Sequence, residues 1–296
     1  MTFLNHLITG LSLGSIYAII ALGYTMVYGI AKMLNFAHGD VIMVGAYICF
    51  FAINSFSLPP LVGILLAMVV CTVLGMVIER LAYKPLRQAP SLAVLITAIG
   101  VSYLLQNGAQ ILWSASPKSF PAIFQFGGQS GIQLFGGQLT IQYVALVTVG
   151  VCIAIMLALT FFTARTRLGK AMRACSEDKG AAQLMGIHVN STISMTFAIG
   201  SALAAVAGVL MCSAYPRLMP TTGSLPGIRA FTAAVFGGIG SIPGAFLGGI
   251  LLGLIETFTK AYITTALYDA VVFALLIVVL LVRPAGLLGR YVPEKV

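Results

Sequence analysis

The chain has 296 residues, of which 59% are hydrophobic and 8% charged, and its net charge is +9; its mean hydropathy is +1.04. Soluble domains are about a quarter charged, so a soluble enzyme and a nucleic-acid-binding protein are both excluded. The basic residues sit between apolar runs, as topology determinants do, and the runs lack the alternation of barrel strands.

Several of those runs reach the ~20 residues that a helix needs to cross a bilayer core. The expectation is an all-α, polytopic helical membrane protein, a single transmembrane domain over residues 1–296. In chain order the apolar segments are 5–31, 36–54, 59–79, 92–113, 140–163, 191–214, 225–236, 243–259 and 268–282. They amount to eight spans and one short limb, 225–236. No Lys or Arg precedes Lys32, so a charged signal-peptide n-region is missing and the first segment is expected to stay as a span.

After that segment comes LNFAHGDVIMVGAY, residues 34–47, a polar break among glycines and small residues. Asn35, His38, Gly39 and Asp40 are its candidate residues. Irregular backbone at membrane depth is tolerated only inside protein or against a wet cavity, so they either hydrogen-bond freed backbone or line a pathway. No nucleophile or third ligand stands at a recognisable spacing from His38 and Asp40, so neither a catalytic nor a metal site is assigned. In the fourth segment Tyr103, Gln106, Asn107 and Gln110 share one helical face at i, i+3, i+4 and i+7. They line the outer half of a pathway or hold helices together.

Residues 164–190, ARTRLGKAMRACSEDKGAAQLMGIHVN, are the long polar segment and hold 5 of the 16 Lys and Arg. Ser176 is a good N-cap, Glu177 and Asp178 suit a first helical turn, and Gly186 is a stop. A short helix over 176–186 is therefore predicted, with Ala181, Ala182, Leu184 and Met185 as a small apolar face, and one so short needs something to pack on; the alternative is a solvated connector that obeys the positive-inside rule. Further on, Arg217, Arg229 and Lys260 are placed on one side, and the 30 residues 230–259 are too few for two spans of ~20. Residues 225–259 are expected to form a half-helix, a turn FGGIGSIPG with Gly237, Gly238, Gly240 and Gly244, and a returning helix. Two interrupted segments in corresponding halves fit a repeat-built transporter, although the halves share no clear residue-level similarity. The small-xxx-small steps Gly10/Gly14, Gly244/Gly248 and Gly249/Gly253 predict close helix approach, within one subunit or at a dimer face. Glu256 and Asp269 are placed at interfacial helix ends, and the five cysteines act as small hydrophobes.

With alternate loops on one side, twelve basic residues fall together: Lys32, Arg80, Lys84, Arg87, Arg165, Arg167, Lys170, Arg173, Lys179, Arg283, Arg290 and Lys295. Four fall opposite: Lys118, Arg217, Arg229 and Lys260. The positive-inside rule puts the N-terminus outside and the 164–190 loop and C-terminus in the cytoplasm.

Four motifs carry a family resemblance. Gly169-x3-Arg173-Ala174, Glu177-Asp178, Ala181-Ala182 and Gly186-Ile187 resemble the coupling loop of ABC importer permeases, in detail the LivH-type branched-chain amino acid permeases. LNFAHGD followed by Gly45-Ala46-Tyr47, the glycine turn at 236–245, and Arg283-Pro284-x-Gly286-Leu287-x-Gly289 are similar to that family in the same order. Lys179-Gly180 departs from the Pro-Glu-like pair of many relatives. The resemblance implies a multi-pass permease in a bacterial or archaeal plasma (inner) membrane, importing leucine, isoleucine or valine by alternating access. It implies a second, LivM-like permease, two cytoplasmic ATPase subunits that bind ATP and Mg, and an extracytoplasmic amino-acid-binding protein. Gly169, Arg173, Ala174, Glu177, Asp178, Ala181, Ala182 and Gly186 would be the ATPase-coupling residues. No G-x-x-x-x-G-K-[ST] loop occurs in the chain, so ATP would be hydrolysed by partners, with no cofactor on this chain. The rival readings are a sister permease for urea, amides or other amino acids, and a self-powered secondary transporter. The latter needs ionisable residues in mid-membrane.

Overall fold

In a bilayer each backbone polar group needs an internal partner, and the apolar segments meet that need as helices. The computed structural model describes residues 2–125, 130–134 and 139–289, so Arg290 and Lys295 lie outside the described residues. In order the helices are α1 (Thr2–Ala31), α2 (His38–Asn54), α3 (Pro60–Ile78), α4 (Ser91–Trp113), α5 (Tyr143–Arg165), α6 (Arg167–Glu177), α7 (Lys179–Leu184), α8 (Val189–Ala214), α9 (Ser224–Gly237), α10 (Ile242–Tyr262) and α11 (Tyr268–Val282). The nine apolar segments are all helical. Six of these helices (α1, α3, α4, α5, α8 and α10) are long and apolar enough to cross a membrane. The others are shorter: α2 has 17 residues, α11 has 15 and the half-helix α9 has 14.

The centre of the bundle is α1, continuously buried from Ser12 to Val27 and packed most extensively on α10 and α8. The steps Gly10/Gly14 and Gly249/Gly253 lie on the seam of α1 with α10, while Gly244/Gly248 packs against α9. A Cβ on Gly14 would stand 2.8 Å from the Ile250 Cα, and one on Gly10 would stand 3.2 Å from the Leu254 Cα, so the glycines bring helices of one chain together. By contrast α3, α4 and α5 sit at the periphery and are mostly exposed.

Two small β ladders lie outside the spans, which the helical periodicity did not foretell. β1 (Lys118–Ser119) pairs antiparallel with β4 (Arg217–Leu218), tying the segment after α4 to the one after α8. β2 (Gly131–Leu134) and β3 (Leu139–Gln142) form a hairpin before α5.

The polar segment differs from its prediction. The expected helix from Ser176 to Gly186 is instead two, α6 and α7, with a break at Asp178. Gly169, Met172 and Cys175 recur at three-residue intervals and are buried, and this apolar stripe carries α6 through Glu177. Thr166 caps α6, its hydroxyl accepting from the Gly169 N–H at 3.0 Å. Ser176 is interior to α6, where its hydroxyl donates to the Arg173 carbonyl at 2.7 Å. The new cap is Asp178, whose carboxylate accepts from the Gly180 and Ala181 N–H groups at 2.8 and 3.0 Å. Gly186, at φ +81°, ends the segment as expected.

Candidate functional site

The first predicted break packs inside the bundle against α9, the half-helix that leads to the second. After α1 the chain turns back into the protein: His38 is fully buried, and its ring stands against Gly23 and 4.6 Å from the Tyr24 ring. Gly23 lies eight residues before the end of α1, so α2 starts about 12 Å inside that end at ~1.5 Å per residue. The backbone freed by the break is satisfied locally. The Asn35 carbonyl accepts from the His38 N–H at 3.1 Å and the Ala37 carbonyl from the Asp40 N–H at 3.0 Å, while the Asn35 side chain accepts from the Tyr83 hydroxyl at 2.9 Å.

The start of α9 meets the start of α2 there. Gly39 and Gly223 are so close that a Cβ on either would run into the other's carbonyl oxygen, and one on Gly227 would stand 3.0 Å from the Gly39 Cα. Beside this crossing the Gln106 amide donates to Asp40 at 2.9 Å, to Ser224 at 3.1 Å and to Ser102 at 3.2 Å. One amide of α4 thereby links a buried carboxylate at the first turn of α2 to the first residue of α9. A carboxylate there also interacts favourably with the helix dipole.

Only Gln106 of the four-residue polar stripe on α4 joins this cluster. Tyr103, Asn107 and Gln110 are exposed, and the Asn107 amide donates back to the Tyr103 carbonyl at 2.8 Å. At ~100° per residue, Gln106 is the edge of the stripe nearest the face on which Val94, Ala98 and Ala109 are buried.

At its other end α9 reaches the glycine turn. Gly238 (φ +106°) and Gly240 (φ +97°) hold backbone that L side chains rarely adopt, and the Ser241 hydroxyl caps α10 by accepting from the Gly244 N–H at 3.2 Å. Gly237 and Gly244 pack backbone to backbone. The carbonyls that α9 leaves unpaired are met by the tail motif: the Leu287 N–H donates to the Phe236 carbonyl at 3.0 Å and the Leu288 N–H to the Gly237 carbonyl at 2.9 Å.

An ionic cluster holds the middle of α9, and it corrects two sequence-based placements. Arg229, counted among the basic residues on the outer side, is buried inside α9. Glu256, assigned to an interface, is 1% exposed. The Arg229 guanidinium pairs with Glu256 at 3.2 Å and Asp269 at 2.9 Å and donates to the Tyr268 hydroxyl at 2.7 Å. Glu256 also accepts from Lys260 at 2.5 Å and from the Tyr17 hydroxyl at 2.8 Å. Asp269 does stand at the edge, with its side chain 45% exposed. The available signal was Arg229 itself: a cation inside an apolar run needs a buried partner.

On the face carrying α6 and α7, the named coupling residues separate. Gly169 and Ala182 are buried within the chain, and Ala174 partly so; Ala182 therefore is not an outward contact. Arg173, Glu177, Asp178, Ala181 and Gly186 are exposed, with Arg173 donating to the Ala164 carbonyl at 3.3 Å. Of the small apolar face that the sequence offers at Ala181, Ala182, Leu184 and Met185, the last two project furthest: Leu184 is 90% and Met185 83% exposed. Burial raises the Cys175 thiol pKa above its ordinary value. Among the described residues, no group of three or more His, Cys, Asp or Glu is placed to hold a metal ion.

Comparison with known proteins gives a consistent picture. The profile of the family described as "Branched-chain amino acid transport system / permease component" matches residues 6–280. The high-affinity branched-chain amino acid transport system permease protein BraD of Pseudomonas aeruginosa is 46% identical over 302 residues, covering 99% of this chain and 98% of the relative. The LivH permease of Escherichia coli K12 is 45% identical, with the same coverage. A probable LivH of Methanocaldococcus jannaschii is 30% identical over 93% of this chain and 89% of its own length.

Proposed function

The chain belongs to the branched-chain amino acid transport permease family, and from that premise we propose that it is the membrane subunit through which leucine, isoleucine and valine enter the cell, driven by partner ATPases. A second, LivM-like permease completes the pathway, two cytoplasmic ATPases bind ATP and Mg, and an extracytoplasmic binding protein delivers the amino acid. The chain sits in the inner or plasma membrane with its N-terminus outside and the α6–α7 face and C-terminus in the cytoplasm.

The observation that carries the ATP-driven reading is the tip of α7. Leu184 and Met185 expose apolar side chains on a polar loop, while Ala182 beneath them is buried and Asp178 caps the helix. A small apolar knob on a braced, six-residue helix suits a groove on a soluble partner, as helix-in-groove contacts do. Movement of α7 has a route inward: the Lys179 ammonium donates to the Ala31 carbonyl at 2.9 Å, at the end of α1 and the start of the break that leads to Asp40. The crossing of α2 and α9 with Gln106 supports a wall of the pathway, and the exposed Tyr103, Asn107 and Gln110 of α4 support a surface facing the second permease or the wet path.

The test is ATP-dependent leucine uptake into proteoliposomes that hold both permeases, the ATPases and loaded binding protein. Leu184→Asp with Met185→Asp puts two charges into the docking groove; burying an unpaired charge is costly. ATPase capture and leucine uptake should each fall at least tenfold while the chain still inserts. Uptake that persists without the ATPases would establish a self-powered transporter, and uptake of urea or amides in place of leucine would reassign the substrate.

A further inference from the structure

Where α7 stands off the ends of α3 and α8, it leaves an open cleft of about 330 Å3. Arg87, Lys179, Gln183 and Asn190 form its polar wall, and Ile187 and Ile193 its apolar one. The polar wall carries an excess of positive charge. A π-helical turn, Glu79–Tyr83, continues α3 and turns Glu79 inward, where it ion-pairs with Arg87 and accepts from the Ser194 hydroxyl at 2.5 Å. Arg87 also donates to Asn190, yet its buried Nε has no hydrogen-bond partner. Against that one carboxylate stand Arg87, Lys179 and Lys32. Burial, followed by repulsion from Arg87 and Lys32, pulls the Lys179 pKa below that of an ordinary lysine, as crowding of cations with too little counter-charge does.

We propose that this cleft binds the phosphodiester headgroup of an anionic phospholipid. The phosphate is held by Lys179 and Arg87, with Lys32 adding to the field, and the glycerol backbone lies on the half-buried Ile187 and Val189. A lipid fits better than a soluble anion for two reasons. The cleft opens at the ends of two apolar helices, and one of its walls is apolar. Basic pockets between membrane helices select anionic headgroups in this way. The cleft also adjoins the Lys179–Ala31 contact, so an occupied site would steady α7 against α1. The proposal rests on the membrane embedding of the chain and is independent of which amino acid is transported.

The experiment is native mass spectrometry of the purified full chain in detergent with added phosphatidylglycerol, phosphatidylcholine or inorganic phosphate. The parent should retain phosphatidylglycerol over phosphatidylcholine. Lys179→Gln, which keeps a donor for the Ala31 carbonyl, should weaken that retention about fivefold, the effect of one cation at an anionic surface. Lys170→Gln, on the exposed side of α6, should leave it unchanged, and unaltered melting of both variants excludes misfolding. Equal retention of the two lipids, or full retention by Lys179→Gln, overturns the proposal. So does Lys179-dependent displacement of the lipid by millimolar phosphate, which would make a soluble phosphate the ligand. If Lys179→Gln loses ATPase capture but keeps the lipid, the cleft belongs to a protein partner and the proposal fails.

Discussion

Replacing Glu256 by Gln is a sharp test of how the half-helix is held. The cluster is balanced: Arg229 and Lys260 face Glu256 and Asp269, and Glu256 alone touches Arg229 (3.2 Å), Lys260 (2.5 Å) and Tyr17 (2.8 Å). Gln preserves the shape and removes one negative charge at a site 1% exposed. Removing one partner of a buried pair costs about 3–5 kcal/mol. Here Asp269 still holds Arg229 at 2.9 Å and the Lys260 side chain, 36% exposed, can rehydrate, so the cost should fall near the low end, about 3 kcal/mol. At about 2–4 °C per kcal/mol for a chain of this order of size, melting should drop by roughly 6–12 °C. The five buried, unpaired cysteines supply the assay, because a thiol-reactive dye reports their exposure as the detergent-solubilised chain unfolds. Adding Arg229→Met to Glu256→Gln removes the cation left with less counter-charge and should recover part of the loss. If the single variant melts within about 2 °C of the parent, or the double variant melts lower still, the cluster does not hold α9 as the geometry implies.

The glycine turn and the orientation give two more tests. Gly240→Ala has only conformational strain to bear, since the nearest atom to its Cβ would be 3.9 Å away, and should cost about 1–2 kcal/mol. Gly238→Ala adds a Cβ 2.7 Å from the Gly289 Cα and should melt lower and transport less; equal behaviour of the two would mean that the tail does not seal the turn. In whole cells an impermeant maleimide should label Ser119→Cys and spare Glu177→Cys, both exposed positions, against a low background from the buried native cysteines. Reversed labelling would invert the chain and detach α7 from any cytoplasmic partner.

What could be read from the chain is what depends on neighbours in sequence. The apolar runs gave the helices, because these follow from local periodicity, but only six of the eight expected spans are long and apolar enough to cross a membrane. The short limb was expected from a length counted from Arg229, which lies inside that limb, in α9, and not before it. Caps were less legible, since Ser176, Glu177 and Asp178 are all residues that favour a helix start. The choice fell to the stripe Gly169–Met172–Cys175, which had to be buried before the helix could end. The α4 stripe was read as one surface because its four polar residues share an arc, yet burial of Val94, Ala98 and Ala109 draws in only its edge, Gln106, toward Asp40 and Ser224.

The least legible feature explains how so short a helix is tolerated. α9 has 14 residues and begins inside the protein, so both of its ends carry unpaired backbone groups at positions where hydrocarbon supplies none. Its C-terminal carbonyls are met from residues 287 and 288, about fifty positions downstream, and its flank is met by Glu256 on the next helix. Its N-terminus lies against Gly39, nearly two hundred positions upstream. Glycine is required at that crossing because each backbone occupies the space of the other's Cβ. Sequence spacing carries no record of such pairings, so the motifs were visible as four separate strings. The fold shows three of them to be one assembly: the first break meets the start of α9, the glycine turn forms its end, and the tail seals that turn. A change to any one of the three should therefore be felt at Asp40 and Gln106, where α9 and α2 meet.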